Sequence, residues 1–149
     1  MASPESKLWQ ELEKPLRKKF RADRVEDRNE FKFPDVILLH RDTAMVSWVE
    51  LKATGIRKDG TFKIPWRKGQ AGWLAAWAQD GGTAWLLVHV RGQGYYVFHA
   101  KANAQWVQDI KLPICPGDVL GLGGLLCPTI DGVVYVLDLA TSKQGSMVR

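Results

Sequence analysis

Large apolar residues recur every fourth position near the start of the chain: Leu8, Leu12, Leu16 and Phe20. This spacing predicts one apolar face of a helix. Ser3 and Pro4 mark its expected start, because serine caps free N–H groups and proline is tolerated in the first turn. Pro15 interrupts the pattern, so we expect the helix to kink or restart there.

The pattern changes from helical spacing to strands after a polar, irregular segment at residues 23–32. Residues 35–39 and 44–52 are each apolar enough for a strand, and the residues between them, HRDT, are typical of a turn. Because the connection is so short, the two strands should pair as an antiparallel hairpin.

Three charged residues interrupt this predicted hairpin. Side chains alternate along a strand, so Glu50 and Lys52 point to the same side, roughly 6–7 Å apart. Asp35 begins the first strand and Glu50 nearly ends the second, which places them opposite each other at the open end of the hairpin. The pattern therefore predicts that Asp35, Glu50 and Lys52 converge.

The rest of the chain predicts a helix followed by strands. The helix should run from about Arg67 to Gln79, end at the two following glycines and carry Gln70 on its sheet-facing side. Residues 84–90 and 95–99 are predicted as strands. The pattern weakens beyond residue 102, where residues 133–139 (VVYVLDL) predict one more strand and the last eight residues an irregular tail.

These elements predict one α/β domain of 149 residues, with a mixed, mostly antiparallel sheet flanked by helices. Its core would span about residues 8–100, and residues 101–149 would add a strand extension. No apolar run approaches the roughly 20 residues that cross a bilayer, and the charged N-terminus lacks the apolar centre of a signal peptide. We therefore expect a cytoplasmic protein with no membrane partner.

The charge of the chain is concentrated after the hairpin. The formal net charge is +5, and residues 52–68 contain six basic residues and one acid. Clustered positive charge suits a polyanion such as nucleic acid, although a solvated surface loop has the same composition. The candidate nucleic-acid-binding residues are Arg57, Lys58, Lys63, Trp66, Arg67 and Lys68. Trp66 could stack on a base or anchor the loop.

Two carboxylates beside a lysine suit metal-dependent cleavage of phosphodiesters. Carboxylate oxygens are hard ligands of the kind that Mg²⁺ prefers, and a bound Mg²⁺ polarises a phosphoryl group and activates water. A lysine such as Lys52 can stabilise the negative charge that develops during cleavage. Asp35 and Glu50 would repel each other without a cation, which favours metal binding.

The spacing of these residues resembles that of a nuclease superfamily. Pro34-Asp35, fourteen further residues and Glu50-Leu51-Lys52 are similar to the motif of the PD-(D/E)xK nucleases. The wider pattern, RVE, FPDV, WVELK and PWRKGQAGWL, is similar to small phage and bacterial nucleases of the VRR-NUC and Holliday-junction-resolvase-like branches. The resemblance covers residues 8–98 and implies a restriction-endonuclease-like core.

The resemblance also implies roles for individual residues. Asp35 and Glu50 would bind Mg²⁺, for which Mn²⁺ is expected to substitute, and the Leu51 carbonyl would be a third ligand. Lys52 would be the catalytic lysine, with Gln70 near the metal or the substrate. These families often add a glutamate from the first helix, and two residues compete for that role: Glu11 and Glu26.

The resulting hypothesis is a Mg²⁺-dependent DNA endonuclease, with branched DNA such as Holliday junctions as a candidate substrate. A junction-cutting enzyme would act as a homodimer, because two symmetric nicks need two sites. If it is encoded by a phage, it would work in the host cytoplasm. The alternatives are a restriction or repair nuclease, an inactive nucleic-acid-binding module of the same fold, and a protein–protein adaptor.

Overall fold

The computed structural model describes residues 3–25 and 33–148, with side chains as far as residue 142. Its elements are α1 (Pro4–Leu16), β1 (Phe20–Arg24), β2 (Val36–His40), β3 (Val46–Gly55), α2 (Gln70–Gln79), β4 (Thr83–Arg91), β5 (Gly94–His99), α3 (Ala104–Ile110), β6 (Gly124–Cys127) and α4 (Ile130–Val148). The strands form one sheet in the order β1 to β6. Only β3 and β4 pair in parallel within these residues, so the mixed, mostly antiparallel sheet predicted from the sequence is confirmed.

The β2–β3 hairpin positions the charged residues singled out above. Val36 pairs with Val49, and Leu39 pairs with Val46. The turn between the strands closes with a hydrogen bond of 2.9 Å from the N–H of His40 to the carbonyl of Met45. The last residue of β3 that pairs with β2 is Val49, but β3 continues to Gly55. The end of β3 therefore extends past the start of β2, and the space beside it forms a notch.

Helices cover both faces of the sheet. One apolar cluster joins α1 and α4 to the sheet and includes Leu12, Leu16, Val49, Leu51 and Val133. The other joins α2 and α3 to the opposite face and includes Leu74, Leu86, Val88, Phe98 and Trp106. Since side chains alternate along β3, residues 50 and 52 point to the α2 side.

The N-terminal part of the fold differs from the sequence prediction. α1 ends at Leu16, directly after Pro15, and the segment FRADR forms strand β1. Phe20 is buried as predicted, but from a strand and not from the helix. The strand was missed because alternate positions, such as Arg21 and Asp23, are exposed and charged, and a short polar edge strand looks like a loop.

The prediction for residues 133–139 was wrong. They belong to α4, which runs through the segment that we expected to be an irregular tail. Val133, Leu137 and Thr141 are buried at a spacing of four residues, which is the pattern of a helix packed against a sheet. Valines favour strands, but packing of Val133 and Leu137 in the apolar cluster that contains α1 outweighs this local preference and stabilises a helix. β6, which pairs with β5, is the strand that the C-terminal part does add.

A buried histidine anchors α4 to the sheet. His40 accepts the backbone N–H groups of Asp42 and Thr43 at its Nδ1, each at 3.2 Å. Its Nε2 lies 2.6 Å from Oδ1 of Asp138 and 3.0 Å from Oγ of Ser142. Because Nδ1 accepts hydrogen bonds, the ring proton is on Nε2, and this N–H donates a hydrogen bond to the Asp138 carboxylate. No ring nitrogen is left to take a proton from Ser142, so the group is an anchor and not a hydrolase triad.

No helix in residues 3–25 or 33–148 has both the length and the apolar character needed to cross a membrane.

Candidate active site

A small polar cavity occupies the notch beside β3. Its volume is about 140 Å³. It is lined by Ser3, Glu5, Arg24, Asp35, Glu50, Leu51, Lys52, Arg67 and Gln70. As the candidate active site, it is called the catalytic pocket below. Ser3, which caps α1, Glu5 in its first turn and Gln70, the first residue of α2, all line the pocket. The positive ends of two helix dipoles therefore lie close to the site, where they favour bound anions and carboxylates.

The hairpin register brings the two predicted carboxylates together. Asp35 directly precedes Val36 and Glu50 directly follows Val49, and these two valines are paired. Oδ2 of Asp35 also accepts the backbone N–H of Leu51 at 2.8 Å. That bond fixes the Asp35 carboxylate against β3.

Glu50 is buried in a way that disfavours its charge. It is 2% exposed, and its Oε1 accepts a hydrogen bond from Nε2 of Gln70 at 3.2 Å. Its buried Oε2 receives no hydrogen bond from a donor in the part of the chain that the structure describes, and the group that can pair with it when Glu50 carries a proton is the Asp35 carboxylate. Burial, followed by the negative charge of Asp35, raises the pKa of Glu50 to about 9, against the opposing effect of Lys52. Without a cation, burial and the neighbouring carboxylate therefore favour the protonated form of Glu50.

Lys52 places an ammonium group beside this carboxyl group. Its Nζ lies 3.7 Å from Oε1 of Glu50, and the residue is 4% exposed. The same ammonium lies 6.0 Å from the ring centre of Trp66, within the range of a cation–π interaction. Lys52 is thus held between the pocket and the loop that follows β3.

Gln70 connects three parts of the site. It is the first residue of α2 and points inward, as predicted, with 6% exposure. Its Oε1 accepts the backbone N–H of Arg67 at 2.8 Å, while its Nε2 donates to Glu50. Gly69 precedes it with a φ of 84°, a left-handed conformation that glycine adopts without strain. Gln70 therefore fixes the start of α2 to the Glu50 carboxyl group, together with the end of the preceding loop, residues 56–69, which we call the basic loop.

The side chains of the pocket fit a divalent cation. Two acidic groups face each other, and no donor among the described residues reaches the buried Oε2 of Glu50. A cation in place of the proton would satisfy both carboxylates, which are ligands that Mg²⁺ prefers. No cluster of three His, Cys, Asp or Glu side chains suited to one ion occurs in the described ranges. The pocket therefore offers two carboxylate ligands, Asp35 and Glu50.

The structure does not bring Glu11 into the pocket. Its Oε2 instead accepts a hydrogen bond of 3.0 Å from Oη of Tyr95. Glu26, the other residue considered for this role, lies outside the described residues. The glutamate of α1 that does line the pocket is Glu5, in the first turn. The acid in the Ser-Pro-Glu helix start was visible in the sequence, but nothing local indicated that this end of α1 reaches the site.

The basic residues divide between the pocket and the surface. Arg67 is exposed and lines the pocket, whereas the other four cations of the loop are exposed elsewhere on it: Arg57, Lys58, Lys63 and Lys68. Trp66 is half-buried, and its Nε1 donates to the carbonyl of Ile110 at 3.1 Å, which favours the anchoring role. Arg24 also lines the pocket and was not among the predicted site residues.

No protein-family model matches the chain, and no curated protein matches it. Among solved structures, one that aligns with it is Hjc of Archaeoglobus fulgidus, a Holliday junction resolvase from an archaeal hyperthermophile. The two sequences are 22% identical, and the alignment covers 86% of this chain and 94% of that chain with a TM-score of 0.49. The chemistry of the pocket accordingly rests on its own side chains.

Proposed function

We propose that this protein is a Mg²⁺-dependent DNA endonuclease whose active site is the catalytic pocket, with branched DNA as its preferred substrate. The observation that carries the proposal is the state of Glu50. It is a buried carboxyl group that shares the pocket with a second acid, no donor among the described residues reaches its Oε2, and its pKa is raised to about 9. Such an arrangement lowers the stability of the free protein, and groups with strongly shifted pKa values of this kind cluster at functional sites.

Asp35 and Glu50 would hold the ion, with the Leu51 carbonyl as the expected third ligand. The ion would supply Lewis-acid polarisation of the phosphoryl group and a lowered pKa for bound water. Lys52 would donate a hydrogen bond to the oxygen that gains negative charge in the transition state. Gln70 holds the Glu50 carboxylate in place through its Nε2.

Two arginines at the pocket would hold the substrate. Arg67 and Arg24 line the same cavity as the carboxylates, so a phosphate entering it would meet at least one guanidinium group. A guanidinium group donates two parallel hydrogen bonds to a phosphate, which orients it as well as attracting it. For a four-way junction, the protein would act as a homodimer with one pocket on each cut strand.

A cleavage panel tests this proposal. Four-way, flap, single-stranded and linear duplex DNA are each incubated with the protein and Mg²⁺, Mn²⁺ or a chelator. We expect cleavage with either ion and none with the chelator, fastest on the branched substrates. Equal rates on linear and branched DNA would favour a restriction or repair nuclease. Salt-dependent binding of DNA without cleavage would favour the inactive module.

Glu5→Gln is expected to lower the cleavage rate about ten-fold, because Glu5 lines the pocket and would orient water on a bound ion. Glu11→Gln is the matched control on the same helix. It should cleave like the wild type, since Glu11 contacts Tyr95 outside the pocket. Initial rates at saturating Mg²⁺ provide the measurement, with Glu26→Gln as a third variant. A loss of activity in Glu11→Gln alone would reverse the assignment.

A further inference from the structure

A second cavity lies beside the catalytic pocket, between the basic loop and the end of α3. Its volume is about 420 Å³. It is lined by Lys63, Ile64, Pro65, Trp66 and Lys111. We call it the Lys63–Lys111 groove. Its described lining contains two cations and no acid, and Lys111 comes from the C-terminal third of the chain, to which the sequence assigned no role.

The loop side of the groove is held in place by backbone contacts. Oγ1 of Thr54, on β3, donates to the carbonyl of Lys63 at 3.0 Å. The neighbouring residue, Phe62, exchanges two backbone hydrogen bonds with Ile114, at 2.9 and 2.8 Å. These bonds attach the loop to the sheet on one side and to the segment after α3 on the other. Lys63 therefore projects from a fixed stretch of backbone.

Trp66 forms the connection between the groove and the catalytic pocket. Its Nε1 bonds to the carbonyl of Ile110, the residue directly before Lys111, so the indole fixes the end of α3 against the loop. Its ring centre lies 6.0 Å from Nζ of Lys52. The same indole thus contacts the catalytic lysine and lines the groove.

The two ammonium groups of the groove are available to a ligand. Both side chains are exposed, and neither Lys63 nor Lys111 belongs to a salt bridge within the described residues. Pro65 and Trp66 supply apolar surface between them. Two uncompensated cations flanking an aromatic and apolar floor match a nucleic acid strand, in which phosphates alternate with sugars and flat bases.

We infer that the Lys63–Lys111 groove binds the backbone of the DNA strand that passes through the catalytic pocket. Lys63 and Lys111 contact phosphates next to the one being cleaved, and the Pro65–Trp66 surface packs against a sugar or base between them. This inference rests on the proposed nuclease function and extends its DNA contacts to α3. It assigns the C-terminal third a part in substrate binding through Lys111.

The salt dependence of DNA binding tests the groove separately from catalysis. A labelled four-way junction is titrated with the wild type and with Lys111→Ala in chelator, so that no cleavage occurs, from about 50 to about 200 mM salt. Removing one phosphate contact should weaken binding about five-fold near 0.15 M salt and lower the slope of log affinity against log salt by about one. Lys111→Arg should restore both values.

Lys14→Ala is the matched control, because it removes the same charge from an exposed position of α1, away from the groove. It should leave the salt slope at the wild-type value. Thermal melting checks that each variant is folded, and the exposed Lys111 side chain can be shortened without opening the core.

Two results would overturn the proposal that the Lys63–Lys111 groove binds DNA. One is a Lys111→Ala protein with the wild-type salt slope, even if the wild type cleaves DNA. The other is displacement of the DNA by poly-glutamate as readily as by single-stranded DNA, which would indicate a site for acidic protein segments. Conversely, a reduced slope in a protein that never cleaves DNA would support the groove and reject the nuclease proposal.

Discussion

Replacing Glu50 by glutamine is expected to lower metal-dependent cleavage by roughly a thousand-fold or more. The amide has the shape of the protonated carboxyl group that occupies this position in the free protein. Its oxygen can still accept the hydrogen bond from Gln70, and its NH₂ group can donate toward Asp35. The fold should therefore survive, while the charged ligand needed to hold the cation is lost.

The measurement compares wild-type and Glu50→Gln initial rates on the best substrate of the cleavage panel, at several Mg²⁺ concentrations. Two further readouts separate chemistry from folding. DNA binding in chelator and the melting temperature should both stay at or above the wild-type values. A Glu50→Gln protein that cleaves at the wild-type rate would remove Glu50, and with it the whole metal pocket, from the mechanism.

The second large effect concerns the pH dependence of stability. The pKa of Glu50 is about 9 in the folded chain and 4.5 as an ordinary glutamate, so the folded state binds the extra proton between these values. Stability falls with rising pH wherever the folded state binds more protons. Without metal, we expect this group to lower the free energy of unfolding by up to about 1.4 kcal/mol for each pH unit across that window.

Urea unfolding in chelator between about pH 5 and about pH 9 checks this expectation. The free energy of unfolding of the Glu50→Gln protein should lack the pH dependence that Glu50 causes. This variant should therefore be more stable than the wild type at about pH 9. Mg²⁺ should stabilise the wild type increasingly with pH, because the cation replaces the proton. Wild-type and Glu50→Gln proteins with parallel pH profiles would show that Glu50 is ionised in the free protein.

The centre of the site could be predicted from the sequence because it depends on local geometry. Alternation along β3 puts Glu50 and Lys52 on one side, and a short hairpin turn fixes Asp35 opposite Glu50. The helical spacing that turns Gln70 inward is equally local. These relations need only the period of one element and the length of one turn.

The periphery of the site depends on long-range packing and was missed. Glu5 reaches the pocket because α1 packs against β3, and Arg24 reaches it because β1 pairs with β2. Neither arrangement follows from the spacing of residues within one element. For the same reason Glu11, which fits by its distance along the sequence, lies against Tyr95 instead.

Helix α4 shows how burial decides an ambiguous segment. VVYVLDL is rich in strand-forming residues, but its apolar positions also fit a helix when the residues on either side are included. The hydrogen bond between His40 and Asp138 joins that helix to β2 and stabilises the helical conformation. A contact between residues so far apart in the chain leaves no local pattern in the sequence.

The crossover from β3 to α2 has a consequence for where the DNA would be cut. The basic loop is bounded by Gly55 at the end of one strand and by Gln70 at the start of the helix, and its middle is bonded to β3 and to the segment after α3. A phosphate bound by this loop would therefore lie at a fixed distance from Asp35 and Glu50. If the proposed nuclease function holds, the nick should fall a constant number of nucleotides from that phosphate, whatever the base sequence.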